Sequence, residues 1–163
     1  MKKQILIGTD SFEKIIGGGY FYIDKTMFIK ELLENRGEVT LITRPRRFGK
    51  TLNMSMLKNF FNIEACSQKN NSKELFDGLN IMGHKDIVDR HMNKYPVIFI
   101  TLKNIEAKSF KSSIEMIKIF ISKIYRDNIY LIDSDRLNHL QKKDFNRYCS
   151  KEATEEELAS ALY

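Results

Sequence analysis

The sequence is poor in the residues that mark secreted and membrane-embedded proteins. Its 163 residues include two cysteines, two prolines and no tryptophan. Cys66 and Cys149 lack the spacing of metal ligands and are too few for a disulfide framework, which indicates reduced thiols in the cytosol. No apolar run approaches the roughly 18 residues of a membrane span, and the amino terminus turns polar too early for a signal peptide. We therefore predict a cytoplasmic protein without a membrane partner.

The remaining composition is that of an ordinary folded domain. The chain is 42% apolar, 11% aromatic and 29% charged, close to globular averages, which excludes intrinsic disorder. The 27 lysines and arginines outnumber the 21 acidic residues and give a net charge of +6. Because no internal repeat or linker interrupts the chain, its length predicts one domain or a piece of a larger one.

Hydrophobic periodicity predicts an alternation of strands and helices. Two apolar, β-branched runs, at residues 39–43 and 97–100, predict buried strands, and residues 20–23 predict a strand or an extended stretch. Capping residues and helical spacing predict helices after Ser11, after Asp24, from Lys50, over 85–92, 109–125 and 135–148, and from Thr154. The first part is therefore expected to be α/β and the second half helical.

The segment most informative about function joins the first predicted strand to the helix near Lys50. Residues 44–51, Arg-Pro-Arg-Arg-Phe-Gly-Lys-Thr, match the end of the phosphate-binding pattern G-x-x-x-x-G-K-[ST]. In that pattern, backbone N–H groups and the helix dipole hold the phosphate, Lys50 reaches the β- and γ-phosphates, and the Thr51 hydroxyl binds Mg²⁺. Gly49 keeps a Cβ away from the phosphate. Arg44 stands where the pattern has its first glycine, so a basic surface turn is the alternative interpretation.

Several segments together resemble one protein family. Residues 43–52, Thr-Arg-Pro-Arg-Arg-Phe-Gly-Lys-Thr-Leu, resemble the signature loop R-P-R-R-F-G-K-[ST] of the bacterial AAA-ATPase-like family, in which arginine is the usual first residue. Residues 20–26, Tyr-Phe-Tyr-Ile-Asp-Lys-Thr, are similar to the family's Y-Y-V-D-K-T segment. Weaker similarity covers essentially the whole chain, at residues 12–16, 53–61, 75–76, 95–103 and 130–135.

The resemblance implies both a fold and cofactors. It implies an incomplete P-loop NTPase three-layer sandwich of parallel strands with flanking helices, in which residues 1–163 form the N-terminal portion of an AAA-ATPase-like domain. It implies ATP and Mg²⁺ as cofactors, with Thr51 binding the metal through its hydroxyl. The resemblance leaves two partners possible. One is a C-terminal or separate nuclease-like domain, which is common in the family, and the other is a second copy of the chain in a homo-oligomer. The nucleotide-binding residues implied are Arg44, Pro45, Arg46, Arg47, Phe48, Gly49, Lys50, Thr51 and Asp24.

Two residues outside the loop have alternative roles. The resemblance implies that Asp24 lies beside the adenine or the ribose, but Asp24 is equally suited to cap the helix that follows it. Tyr22 would offer a stacking face to the nucleotide, whereas an aromatic residue in a short strand usually belongs to the core. Both interpretations stay open at this point.

Hydrolysis needs a Walker B acid at the end of a hydrophobic strand to hold Mg²⁺. The predicted strand at 97–100 is followed by Thr101, which is not acidic. Residues 129–133, Ile-Tyr-Leu-Ile-Asp, do end in an acid, but they follow a helix without an intervening turn. The resemblance implies that this segment is an inter-helical connection and that the Walker B strand lies beyond Tyr163. We therefore expect nucleotide binding, and no Mg²⁺ coordination by Asp133 or hydrolysis by this chain alone.

The basic loop also suits functions other than nucleotide binding. Four positive charges within seven residues, at Arg44, Arg46, Arg47 and Lys50, also suit a basic non-catalytic module that binds nucleic acid or a partner protein. An inactive gene fragment is a further alternative. A zinc site is not expected, because the three histidines stand apart without metal-ligand spacing: His84, His91 and His139.

Overall fold

The computed structural model describes residues 4–35, 37–63, 72–103 and 108–161. These ranges contain eight α-helices and two short 3₁₀ segments. The chain divides into two compact units, Met1–Phe99 and Ile100–Tyr163. The helices of the first unit are α1 (Phe12–Gly17), α2 (Met27–Asn35), α3 (Lys50–Phe61), α4 (Ser72–Phe76) and α5 (Lys85–His91), with a 3₁₀ segment at Asn80–Gly83. Those of the second unit are α6 (Phe110–Asp127), α7 (His139–Ser150) and α8 (Glu155–Ser160), with a 3₁₀ segment at Ile129–Asp133.

Side-chain caps begin several helices where the sequence predicts them. The hydroxyls of Ser11, Ser109 and Thr154 accept backbone N–H groups in the first turns of α1, α6 and α8. Each cap satisfies a donor that has no partner inside the helix. One boundary was predicted wrongly, because Asn138 is the cap of α7 and the helix begins at His139 rather than at residue 135.

An aromatic cluster forms the core of the first unit. Phe12 of α1, Phe60 of α3 and Phe76 of α4 are fully buried. The ring centroid of Phe76 lies 4.9 Å from that of Phe12 and 5.4 Å from that of Phe60. The backbone N–H of Phe12 also donates to Ser55 Oγ of α3 at 3.1 Å. Apolar packing and this hydrogen bond therefore fix α1 against α3. The other buried members of the cluster are Ile29, Met56, Ile81, Val88 and Met92.

Two tyrosines join the helices of the second unit. The ring of Tyr125 in α6 stacks on that of Tyr148 in α7, with centroids 4.6 Å apart. The Tyr125 hydroxyl donates to the carbonyl of Ala161 at 2.7 Å, and the Tyr148 hydroxyl donates to the carbonyl of Glu157 at 3.0 Å. Arg147 forms two contacts with the Glu157 carboxylate, at 2.7 and 2.9 Å. These bonds attach the short helix α8 to the α6–α7 pair.

The predicted α/β sandwich is wrong, because the described residues contain no β-strand. The single β-bridge among them is isolated and joins Asn62 to Tyr95. Residues 39–43 and 97–100 have no regular secondary structure, and their backbones form no ladder with other described residues. Their alternate apolar side chains are exposed rather than buried: Val39 88%, Leu41 84% and Ile98 58%. A strand requires backbone pairing with a second strand, and an apolar run by itself does not supply that partner.

Two further expectations concern the thiols and the membrane. Cys149 is a free thiol, as predicted, and burial raises its pKa more than nearby Arg126 lowers it. Cys66 and most of the polar loop predicted at residues 68–73 lie outside the described residues. Among the described helices, none combines the length and apolar character needed to cross a membrane.

Replacing Phe76 by alanine tests the aromatic core. Phe76→Ala removes a fully buried ring between two others, and we expect the free energy of unfolding to fall by about 3–5 kcal/mol. Phe110→Ala is the matched control, because the Phe110 side chain is 75% exposed, and its effect should stay within about 0.5 kcal/mol. Urea unfolding followed by circular dichroism measures both changes. Equal losses from the two variants would contradict this description of the core.

Candidate functional site: the loop at residues 44–51

The amino terminus of α3 lacks the side-chain cap found on four other described helices. Its N-cap is Gly49, no side chain accepts a hydrogen bond there, and the first turn contains no acidic residue. The backbone N–H groups of residues 50–52 have no acceptor within the described part of the chain. Unpaired N–H groups and the helix dipole make such an end electropositive. This end of α3 is therefore suited to an anion.

The side chain of Lys50 folds back across the loop. Its Nζ donates to the carbonyl of Arg44 at 2.5 Å and to that of Pro45 at 2.9 Å. An ammonium group has three N–H donors, so these two bonds leave one for a ligand. The loop carbonyls thus hold a positive charge near the unpaired N–H groups of α3.

Two residues of the loop adopt left-handed backbone conformations. Gly49 has φ 77° and Arg47 has φ 68°. The sequence pattern predicts that Gly49 leaves space for a phosphate. Among the described residues, an added Cβ at this position would meet no atom within 4 Å. In the protein itself, the positive φ is the reason for glycine at this position. Arg47 has a Cβ, so the same conformation costs about 1–2 kcal/mol there.

The side chains of the remaining loop residues are accessible to solvent. Arg44, Arg46 and Arg47 are exposed, and the Phe48 ring is 59% exposed. The Arg44 guanidinium donates to the carbonyl of Thr43 at 2.8 Å. Within the described residues, no carboxylate forms an ion pair with any of these arginines. The loop therefore presents uncompensated positive charge to solvent.

Thr51 is the second residue of α3 and is partly exposed. Its place directly after Lys50 is that expected for a hydroxyl ligand of phosphate-bound Mg²⁺. The described residues contain no group of three or more His, Cys, Asp or Glu side chains able to hold a metal ion. A metal at this loop would thus depend on Thr51 and on oxygen atoms of the nucleotide and water.

Asp24 is engaged by neighbouring parts of the fold. Its Oδ1 accepts hydrogen bonds from the N–H of Thr26 at 2.8 Å and from the Thr26 hydroxyl at 2.7 Å, and its Oδ2 accepts the N–H of Asn80 at 2.7 Å. Partial burial raises the pKa of the Asp24 carboxyl, but these hydrogen bonds lower it by more, so the net pKa is below the ordinary value. Asp24 therefore has a structural role just before α2, and its contact with a nucleotide stays a prediction.

Tyr22 belongs to the core rather than to an open stacking surface. Its ring meets that of Phe12 edge-on, with centroids 5.4 Å apart, and packs against the buried cluster of the first unit. Burial raises the pKa of its hydroxyl, which the backbone of Lys25 offsets in part. The core interpretation of Tyr22 is confirmed.

Asp133 lies in a connection between helices, as the sequence predicted. Residues Ile129–Asp133 form the 3₁₀ segment between α6 and α7, and Asp133 is exposed at its end. A Walker B acid instead follows a strand in a sheet. The interpretation of this segment as an inter-helical connection is confirmed.

Sequence reasoning missed the groups that hold the site residues in place. The acceptors of Lys50 are backbone carbonyls, which every residue carries, so no residue type marks them. The contact between Asp24 and Asn80 joins residues 56 positions apart. Packing of the Asn80–Gly83 segment against α2, and not a local pattern, creates that contact.

Comparison with known proteins shows the family of the chain. The model of a family described as "Predicted AAA-ATPase" matches residues 6–160, nearly the whole chain. The chain is also similar to an "Uncharacterized protein in vnfD 5'region" of Azotobacter chroococcum mcd 1, with 36% identity over 91 residues. The aligned stretch covers 55% of this chain and 16% of that relative, so the chain spans only a small part of the relative's length. No solved structure matches the chain.

Substitution of Asp24 tests its structural role. Asp24→Ala leaves the N–H and the hydroxyl of the buried Thr26 without their acceptor, whereas the exposed N–H of Asn80 can bond to water. We expect a loss of about 1–3 kcal/mol in the free energy of unfolding at neutral pH, mainly from Thr26. Because the folded-state pKa is lowered, this contribution is present above the unfolded pKa of about 3.9 and is lost as pH falls through the folded value. Urea unfolding between neutral and acidic pH measures the effect.

The control for Asp24 is Glu31→Ala, which removes an exposed carboxylate of α2. The difference in stability between wild type and Asp24→Ala should shrink at acidic pH, because the protonated carboxyl no longer favours the fold. A difference that stays constant with pH would assign the loss to packing and not to the carboxylate.

Proposed function

Because the chain belongs to the predicted AAA-ATPase family, we propose that it binds ATP with Mg²⁺ at residues 44–51. The observation that carries the proposal is the loop wrapped around the Lys50 ammonium at the uncapped amino terminus of α3. A phosphate placed there would receive backbone N–H donors, the positive end of the helix dipole and the remaining N–H of Lys50.

The residues of the loop have different roles in the proposed binding of Mg·ATP. Lys50 contacts the phosphate oxygens as a charged donor, and Gly49 provides the left-handed backbone with which α3 begins. Thr51 offers its hydroxyl to Mg²⁺. When bound, the metal neutralises charge on the β- and γ-phosphates. The exposed guanidinium groups of Arg46 and Arg47 add long-range attraction for the anion.

We limit the proposal to binding without hydrolysis. No Asp or Glu of the described residues follows a strand, since these residues contain no strand. Asp133, the candidate acid in the sequence, lies in a 3₁₀ connection of the other compact unit. The family resemblance of the sequence also leaves a nuclease-like domain or a second copy of the chain open as partners, and both stay predictions.

Replacing Lys50 by alanine is the direct test. Lys50→Ala removes a charge-assisted hydrogen bond worth about 1.5–3 kcal/mol, so we expect the affinity for Mg·ATP to fall at least about tenfold. Isothermal titration calorimetry measures the affinity, and circular dichroism checks that the helices remain. Lys58→Ala is the matched control, because Lys58 is an exposed lysine two turns further along α3. Equal affinities of wild type and Lys50→Ala, or no binding by folded wild type, would reject the proposal.

A second substitution tests the metal. Thr51→Ala removes the one protein hydroxyl that we assign to Mg²⁺, and Thr51→Ser retains it. We expect Mg²⁺ to tighten ATP binding in wild type and in Thr51→Ser, and to have a weaker effect in Thr51→Ala. Titrations of ATP with Mg²⁺ and with excess EDTA give the comparison. The same dependence on Mg²⁺ in all three proteins would exclude Thr51 as a ligand.

A further inference from the structure

The loop has an exposed face beside the proposed phosphate contacts, and its arginines serve the nucleotide site only through long-range attraction. We define the outer face of the loop as the side chains of Arg46, Arg47 and Phe48, all three exposed. Lys50 is folded back onto the loop carbonyls instead and is only partly exposed. The loop therefore presents two positive charges and an accessible aromatic ring at three consecutive positions.

Within the described residues, the two arginines have no carboxylate partner and the Phe48 ring has no aromatic partner. No described carboxylate pairs with Arg46 or Arg47, and the Phe48 ring takes part in no aromatic contact there. Arg47 also holds a left-handed backbone conformation that glycine would adopt without strain. Strain of this kind in a polar loop is typical of binding positions.

We propose that the outer face of the loop binds single-stranded nucleic acid. The guanidinium groups of Arg46 and Arg47 contact successive phosphates, and the Phe48 ring stacks on a base between them. Arginines supply the sequence-independent attraction, while an exposed ring recognises the flat face of any base. An acidic peptide would use the same charges but would leave the aromatic ring without a matching partner, so nucleic acid is the better fit. This proposal goes beyond nucleotide binding and does not depend on it.

Fluorescence anisotropy with labelled 12-mers of dT and of rU tests the proposal, in the absence of nucleotide and over a series of salt concentrations that starts at low salt. We expect Phe48→Ala to weaken binding by about tenfold, in line with the loss of one stacked base. Arg46→Ala combined with Arg47→Ala should lower the slope of log affinity against log salt by about 1.4, which corresponds to two lost phosphate contacts on a single strand. The substituted side chains are exposed, and circular dichroism verifies the fold.

Matched controls remove the same groups elsewhere on the surface. Phe110→Ala removes another exposed ring, and Lys85→Ala with Arg90→Ala removes two exposed charges of α5. Both should bind the oligonucleotides within about twofold of wild type. Because the chain contains no tryptophan, Phe48→Trp introduces a single probe, whose fluorescence a stacked base should quench.

Three outcomes would overturn the proposal. They are an absence of binding at low salt, equal affinities of Phe48→Ala and wild type, and displacement of the oligonucleotide by poly-glutamate as effectively as by unlabelled dT. The last result would assign the face to acidic proteins. Since no nucleotide is present in these titrations, they fail or succeed independently of Mg·ATP binding.

Discussion

The position of the candidate site depends on how α3 packs into the aromatic core. Phe60, near the carboxyl end of α3, is buried between other aromatic rings, and Met56 one turn earlier is also fully buried. Ser55 accepts the backbone N–H of Phe12 and fixes the same helix against α1. Because a helix is stiff over three turns, anchoring its buried face also determines where its amino terminus lies. The Lys50 end of α3 is thus positioned by the buried side chains further along the helix and by Ser55.

The loop itself separates two kinds of positive charge. Lys50 is bound to carbonyls of its own loop, beside N–H groups that no side chain caps. The charges of Arg46 and Arg47 are exposed and have no acidic partner among the described residues. The Lys50 ammonium, bonded to carbonyls of its own loop, suits a small anion held at close range. The exposed guanidinium groups of Arg46 and Arg47 suit an extended polyanion. The two proposals for this loop follow from that difference.

Hydrogen bonds to distant backbone groups organise the rest of the chain. Asp24 and Thr26 attach the start of α2 to the 3₁₀ segment Asn80–Gly83, through bonds to the N–H groups of that segment. In the other unit, the hydroxyls of Tyr125 and Tyr148 attach α8 to the longer helices. The bond to the Thr26 hydroxyl and those from the two tyrosines satisfy polar groups in buried or partly buried positions, where a missing partner would be costly. Short helices, which are marginal alone, are stabilised in this way.

Local physics explains what the sequence by itself determined. Ser11, Ser109 and Thr154 cap helices at the predicted positions, because capping joins groups only three residues apart. The order Gly49-Lys50-Thr51 at a helix start predicted a phosphate-binding loop, and the longer segment at residues 43–52 resembled the family whose model matches the chain. Only the tertiary structure decided that residues 39–43 and 97–100 stay unpaired, and that Asp24 bonds to Asn80. Strand pairing and such contacts join residues that are distant in the sequence. An apolar run shows that a segment could form a strand, but it does not determine which second segment would pair with it.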